Sequence, residues 1–276
     1  PFTLDSPRPL LDVCGTGGDQ AGLFNVSTTV LFVAAACGAG IVKHGNRGIT
    51  SKSGGADALE ALGIPIDLSA EAAAGFFRKN GFVFLFAPAY HPAFRTVAPV
   101  RKHLSEQGKR SVFNILGPLL NPARPDFQLA GVFHPRLLPI YTEVFRLLGR
   151  KTAWTVSGAL PGGGWLDELS TLGKSPVRQL REGVVTDFEI DPLALGLRPA
   201  TLAELQGGHA AKNAYMIEEI LCGENRTACR DIVLLNAAGA LNAAGLAADL
   251  PEGITRAAEA LDSGAAWGVL EKARKS

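Results

Sequence analysis

No apolar run in this chain is long enough to cross a bilayer. The longest, Val30 to Val42, is interrupted at Gly38, Ala39 and Gly40. The opening residues, PFTLDSPRPL, are proline-rich and lack the apolar core of a secretory leader. They begin on Pro rather than Met, so the chain reads as a fragment or a processed product. Cysteine is scarce: Cys14, Cys37, Cys222 and Cys229 form no C-x-x-C pair and no His/Cys cluster. That argues against a zinc site and a disulfide scaffold, and for reduced thiols in a cytoplasmic protein. Neither sign of charge is in excess, with 27 Lys and Arg against 26 Asp and Glu. Such a balance offers no general field for nucleic acid, so any anion site must be local. Internal repeats and low-complexity linkers are also lacking.

What is present is enough apolar residue, 47% of 276, for a substantial core. Short apolar runs alternate with glycine loops and helical patterns. Strands are expected at 10–13, 40–44, 82–88, 127–133, 152–158 and, with polar alternation suiting a sheet edge, 183–192. Helices are expected from Ser27 or Thr28 to Cys37, then at 56–63, 69–81, 97–108, 137–149, 209–223, 227–245 and 254–276. The Ser69 start and Gly81 stop bound the third of these. This alternation predicts an α/β fold: a mostly parallel central sheet with helices on both faces.

Two loops stand out. GTGGDQAGLFNVSTT (15–29) joins a strand to a helix. Its glycines let peptide N–H groups face an anion with no Cβ in the way, and the helix start adds free donors. It is neither a P-loop nor a Rossmann fingerprint. KHGNRGITSKSGGADALE (43–60) is a second glycine loop between strand and helix, with Lys43, His44, Arg47 and Lys52 as cationic or donor groups. Two such loops on neighbouring strands make a phosphate site where open α/β sheets bind ligands. RKHLSEQGKRSVFNILGPLLNP (101–122) and WLDELS (165–170) follow. In the latter, Asp167 and Glu168 are adjacent hard oxygen ligands, a pair that suits magnesium beside a polyphosphate.

DVCGTGGD, NVST, KHGNRGITSKSGGADALEALG, FNILGPLLNP and LDELS, in that order, resemble the anthranilate phosphoribosyltransferases from about Leu11 to the C-terminus. The resemblance implies a large α/β domain with a small helical domain. It also implies transfer of a phosphoribosyl group from phosphoribosyl pyrophosphate to anthranilate, with Mg2+, in tryptophan biosynthesis. Matched motif by motif, the phosphoribosyl pyrophosphate site comprises Gly15, Gly18, Asp19, Asn25, Val26, Ser27, Thr28, Lys43, His44, Gly45, Asn46, Arg47, Gly48, Ile49, Thr50, Ser51 and Gly55. Gly15, Asn46 and Arg101 fall at anthranilate positions, Arg101 pairing the carboxylate. Ser27, Asp167 and Glu168 fall at metal positions. No general base is assigned; Lys43 and His44 have electrostatic roles.

The chain departs from the family's pattern in four places. A long helical segment ahead of DVCGTGGD is absent. It builds most of the small domain and the usual homodimer contact, so only a remnant of that domain, around residues 90–110, is expected within a single 1–276 unit, and the dimer loses its main element. Gly55 stands where Ser or Ala is usual, and Ser157-Gly158 replaces a His-Gly pair. ALPGGGW (159–165) is unusually glycine-rich, so the loop carrying the two acids is expected to be mobile. Pyrimidine nucleoside phosphorylases share the fold, but their second loop resembles K-x-S-G-R. A nucleic-acid-binding paralogue of the same fold would need a basic groove, which the net charge of +1 disfavours.

Overall fold

A computed structural model describes residues 2–48, 52–107 and 111–276. Within them, the first strand, β1 (Leu10–Gly15), leads through the first glycine loop into α1 (Val26–Ala36). It is followed by β2 (Gly40–Gly45), α2 (Gly55–Ala61), α3 (Ala70–Asn80), β3 (Phe82–Phe86), α4 (Ala87–Tyr90) and α5 (Ala93–Glu106). Then come β4 (Phe127–Gly131), α6 (Leu138–Leu147), β5 (Thr152–Val156), the short β6 (Gly158–Ala159) and β7 (Trp165–Leu166), β8 (Ser175–Arg181) and β9 (Val184–Ile190). Four helices close the chain: α7 (Ala210–Leu221), α8 (Ala228–Ala243), α9 (Leu250–Asp262) and α10 (Ala265–Arg274).

The sheet runs β3-β2-β1-β4-β5-β8-β9. Its first five strands are parallel, and β8 and β9 add an antiparallel edge. Side chains alternate between faces as strand geometry requires. Val13, Leu129 and Trp154 join the larger core under α1 and α8, whereas Cys14, Ala130 and Ala153 face Leu138, Tyr141 and Phe145 of α6. Val30, Leu31, Phe32, Val33 and Ala34 of α1 are all fully buried, as is nearly every side chain of α8. Each large apolar side chain so buried contributes about 1.5–3 kcal/mol before entropy is counted. A helix apolar on every side belongs in the middle of a protein, and these two lie between the sheet and the outer helices.

Several boundaries depart from the sequence expectation for local reasons. The N-cap of α1 is Asn25, not Ser27 or Thr28, and its side chain caps nothing because it is engaged elsewhere. α5 begins at Ala93, ahead of the expected 97. The expected final helix, 254–276, is two helices. α9 starts earlier, with the Asp249 carboxylate accepting from Glu252 N–H at 2.8 Å, and the chain breaks at Gly264, whose φ is +75°. The expected edge strand is there as β9, but its partner β8 escaped because Pro176 and polar residues obscure its alternation. The glycine-rich 159–165 stretch joins β6 and β7 as a hairpin, with Leu160 N–H donating to Gly164 O at 3.2 Å.

Connections leave β1 toward β2 and β4 toward β5, in opposite directions across the sheet. The crevice at the C-terminal ends of β1 and β4 is therefore the topological switch point, where such sheets bind ligands. Gly15 of β1 pairs with Gly131 of β4 there.

Candidate active site

The first glycine loop is an anion seat, and a carboxylate of the chain itself fills it. One oxygen of Asp167 accepts from the Thr16 hydroxyl at 2.9 Å, from Gly18 N–H at 3.3 Å, and from Gly17 N–H. Gly17 holds φ at +72°, a value that suits glycine and turns its N–H inward. The acid arrives there because the main chain of 167–168 lies directly on the two paired glycines. A Cβ on Gly131 would stand 1.6 Å from the Asp167 carbonyl oxygen, and one on Gly15 would stand 2.8 Å from it. Glycine is required at both by close approach.

Asp167 is 7% exposed and Glu168 half-buried. Burial pushes both carboxyls above the ordinary range. The charge of Asp19 adds to the rise at Asp167, and that of Asp167 to the rise at Glu168; Thr16 and Gly17 oppose the first, Lys43 and Ser27 N–H the second. Among the described residues, no three His, Cys, Asp or Glu side chains converge as a metal cage. The donor set nonetheless suits a divalent cation. Two crowded hard oxygen ligands carry negative charge that a cation relieves, and magnesium needs only one or two carboxylates when phosphate and water complete its shell.

The second loop repeats the arrangement. Gly48 N–H and Gly54 N–H each donate to the same Asp57 oxygen at 2.8 Å. Burial alone would raise the Asp57 carboxyl, but these two donors and Arg47 outweigh it and hold the carboxyl below its usual range. The Arg47 guanidinium pairs with Asp57 at 3.2 Å and with Glu60, and lies over the Phe86 ring. The Asn46 side chain accepts from Arg47 N–H at 2.8 Å. A Cβ on Gly54 would meet Gly48 N at 2.4 Å, so the loop closes only on glycine. Gly55 opens α2, and a Cβ there would meet ordinary contacts from 3.4 Å. Ile49, Thr50 and Ser51 lie outside the described residues.

Between the loops, Lys43 is buried and donates to Val13 O at 2.5 Å and to Ser27 Oγ at 3.0 Å. Val26 and Thr28 are buried in the first turn of α1. Asn25 ties three elements together: its amide donates to Ser53 O at 3.2 Å, and its carbonyl accepts from Asn213 of α7 at 2.7 Å. The Asp19 carboxylate accepts from Ala21 N–H at 3.1 Å and from Asp167 N–H at 3.5 Å. Gly45 ends β2 against the ring of Phe84. Arg101 stands on α5, and its side chain lies outside the described residues.

A buried polar group below the loops was missed by sequence reasoning. Main-chain pairing between β1 and β2 runs through Leu10–Gly40 and Leu11–Ile41, and beyond it side chains bridge the strands. The Asn121 amide donates to Asp12 at 2.8 Å and to Val42 O at 2.6 Å. Gln128 donates to Pro118 O at 2.6 Å and accepts from Arg150 at 3.0 Å. His44 Nδ1 donates to Gly117 O at 3.1 Å, which fixes the neutral tautomer, and its ring meets His91 edge-on at 5.1 Å. His91 in turn bonds Leu120 O at 2.9 Å. The FNILGPLLNP segment is thus clamped over β1, β2 and β4. A charged residue inside the apolar run LLDVCG was the available signal.

Residues 7–267 match the family model described as "Glycosyl transferase family, a/b domain". The chain is 45% identical over 262 residues to an anthranilate phosphoribosyltransferase of Pelodictyon phaeoclathratiforme, covering 95% of this chain and 74% of the relative. The chain belongs to the anthranilate phosphoribosyltransferase family. The crystal structure of the Thermus thermophilus family member superposes with a TM-score of 0.90 at 41% identity, over 100% of this chain and 79% of that one. The Saccharomyces cerevisiae member, solved in complex with PRPP and Mg, gives 0.87 at 32% identity, over 99% and 75%. The family's fold is thus the one described above.

Two outcomes are expected. Gly131→Ala would push the Asp167 peptide off its seat, and turnover in the family's reaction should fall about 100-fold, the usual cost of an ångström-scale misplacement; circular dichroism should stay unchanged. His44 is held neutral by burial, which lowers its pKa from 6.5 to about 4. Its contribution to stability is therefore complete above the unfolded value and lost as pH falls through that window. By pH 5 the loss should be about 2 kcal/mol. Urea denaturation at pH 7.5 and 5 should show a smaller loss for His44→Phe than for the native chain.

Proposed function

We propose that this chain transfers the phosphoribosyl group of phosphoribosyl pyrophosphate to the amine of anthranilate, releasing pyrophosphate. The observation that carries the reading is the pair of glycine loops on neighbouring strands, each already holding a carboxylate in its N–H donors. A phosphate oxygen makes the same bonds with more charge. In the donor complex, pyrophosphate takes the Gly17 and Gly18 donors and releases Asp167. Gly15, Asp19, Asn25, Val26, Ser27, Thr28, Lys43, His44, Gly45 to Ser51 and Gly55 line this half of the site. Gly15, Asn46 and Arg101 receive anthranilate.

Substitution at the anomeric carbon passes through an oxocarbenium-like state, as in glycoside chemistry. Negative charge grows on the departing pyrophosphate, where preorganised N–H groups and the nearby Lys43 ammonium stabilise it. Asp167, Glu168 and Ser27 would hold Mg2+, which when bound would supply further positive charge to stabilise pyrophosphate. The aromatic amine is neutral and needs orientation more than a base. His44, neutral and bonded to main chain, keeps the second loop against 117–120 and removes no proton. The segment 90–110, which includes α5, is where the family's small helical domain packs. Four unpaired cysteines, and no described helix long and apolar enough to cross a membrane, are compatible with work in the cytoplasm.

Anthranilate fluorescence should disappear when phosphoribosyl pyrophosphate and Mg2+ are added. Unchanged fluorescence, with thymidine phosphorolysis or single-stranded DNA binding instead, would overturn the reading. Arg101→Ala should raise KM for anthranilate tenfold to a hundredfold, the ~1.5–3 kcal/mol of a charge-assisted pair, and leave KM for the donor nearly unchanged. Aniline, which has no carboxylate, should be insensitive; an equal effect on both acceptors would remove Arg101 from the acceptor site.

A further inference from the structure

α8 carries an asparagine in the middle of an otherwise apolar buried stretch, LLNAAG. A buried amide without partners would be costly. Asn236 has all of them: its oxygen accepts from Leu169 N–H at 2.9 Å, and its nitrogen donates to Leu169 O at 2.9 Å and to Ile232 O at 2.9 Å. It therefore pairs with the Leu169 peptide groups as a neighbouring strand would. The opposite amide orientation would set oxygen against two carbonyls, so the assignment is chemically forced. One turn further on, Gly239 leaves a notch for the Leu169 side chain, where a Cβ would meet Leu169 at 2.8 Å. Leu169 directly follows the two acids.

The Asp167 carboxylate bonds Thr16, Gly17 and Gly18, and these are the donors a phosphate competes for. Once they are taken, Asp167 loses its seat. What then keeps 167–168 in place is the main chain behind them: the close approach to Gly131, Ser170 Oγ donating to Ala159 O at 2.9 Å, and the Asn236 clamp. We infer that Asn236 is a positioning residue that holds the Asp167–Glu168 segment for its metal by fixing the Leu169 peptide from α8. The inference rests on the proposed reaction only in naming the metal's use; the clamp itself can be tested without turnover.

The same helix supplies a control. Asn242 is also buried, donating to Ala247 O at 3.1 Å and Ala248 O at 2.9 Å and accepting from Arg181 at 2.8 Å, all at the far end of α8. In the full chain, Asn236→Ala should raise the half-saturating Mg2+ concentration at fixed donor about tenfold or more, as loss of outer support for metal ligands usually does. KM for anthranilate should stay within about twofold. Hydrogen exchange should speed up in the peptide covering 165–170 but not across the central strands. Asn236→Ser, which leaves room for a water against the Leu169 peptide, should show the same shifts, smaller, and secures the test if the alanine variant does not fold. Asn242→Ala should lower thermal stability without moving either reading. A folded Asn236 variant with unchanged exchange at 165–170, or an Asn242 variant with the same metal shift, would overturn the inference. A native chain that leaves anthranilate untouched would sink the proposed reaction instead, and the exchange comparison would still decide the clamp.

Discussion

Thr16, Gly17 and Gly18 direct three donors at one carboxylate oxygen of Asp167, and the rest of the site is arranged so that this meeting can occur. The acid lies far from the loop in sequence. It arrives because β1 and β4 are neighbours, because both end in glycine at the paired positions 15 and 131, and because the chain after β5 folds back over them. Remove either glycine and backbone meets side chain well inside van der Waals distance. Occupying the donors with an acid has a consequence for the free protein. Exposed N–H groups converging on an empty point would attract any anion, whereas a tethered carboxylate satisfies them.

Below the loops the interior is polar, and that is equally constrained. Asp12, Lys43, Asn121, Gln128 and Arg150 lie where a parallel sheet would ordinarily bury aliphatic residues. Burial pushes the Asp12 carboxyl upward, and Asn121, Lys43 and Arg150 pull it back. Asn121 and Lys43 also bond main-chain carbonyls of β2 and β1, at Val42 and Val13. They bridge the two strands beyond the point where main-chain pairing stops, and both glycine loops follow directly from those ends. Aliphatic replacements would leave these carbonyls unsatisfied in the core.

Much of this was legible in the amino-acid sequence because it is local. Apolar runs such as FVFLFAP mark strands buried on both faces, and GTGGD followed by Ser and Thr marks a loop with donors at a helix start. The order of motifs alone points to the family. What stayed hidden depends on partners distant in sequence. Nothing near Gly131 announces that Asp167 will lie on it. Asn236 reads as one poor residue in a good helix, and its meaning appears only when Leu169 is placed beside it. That Arg47 pairs with Asp57 and Glu60 of α2 is likewise not announced by the loop motif. The 159–165 stretch shows the same limit. Its three consecutive glycines do not by themselves announce that the flanking residues pair as a hairpin leading into the acids.

The polar side chains of the site thus divide by what they bond. Asp167 and Asp57 bond N–H groups at loop tips, which a ligand can compete for. Asn121, Asn213 and Asn236 are buried and bond main chain or neighbouring side chains below the loops. An uncharged amide suits the second task because it donates and accepts at once and needs no counterion when buried. A carboxylate suits the first, since it accepts from N–H groups as phosphate does and can be exchanged for it. Three asparagines therefore hold the geometry and two aspartates occupy the loop donors, so charge is concentrated at the loop tips and withheld where the fold must stay fixed.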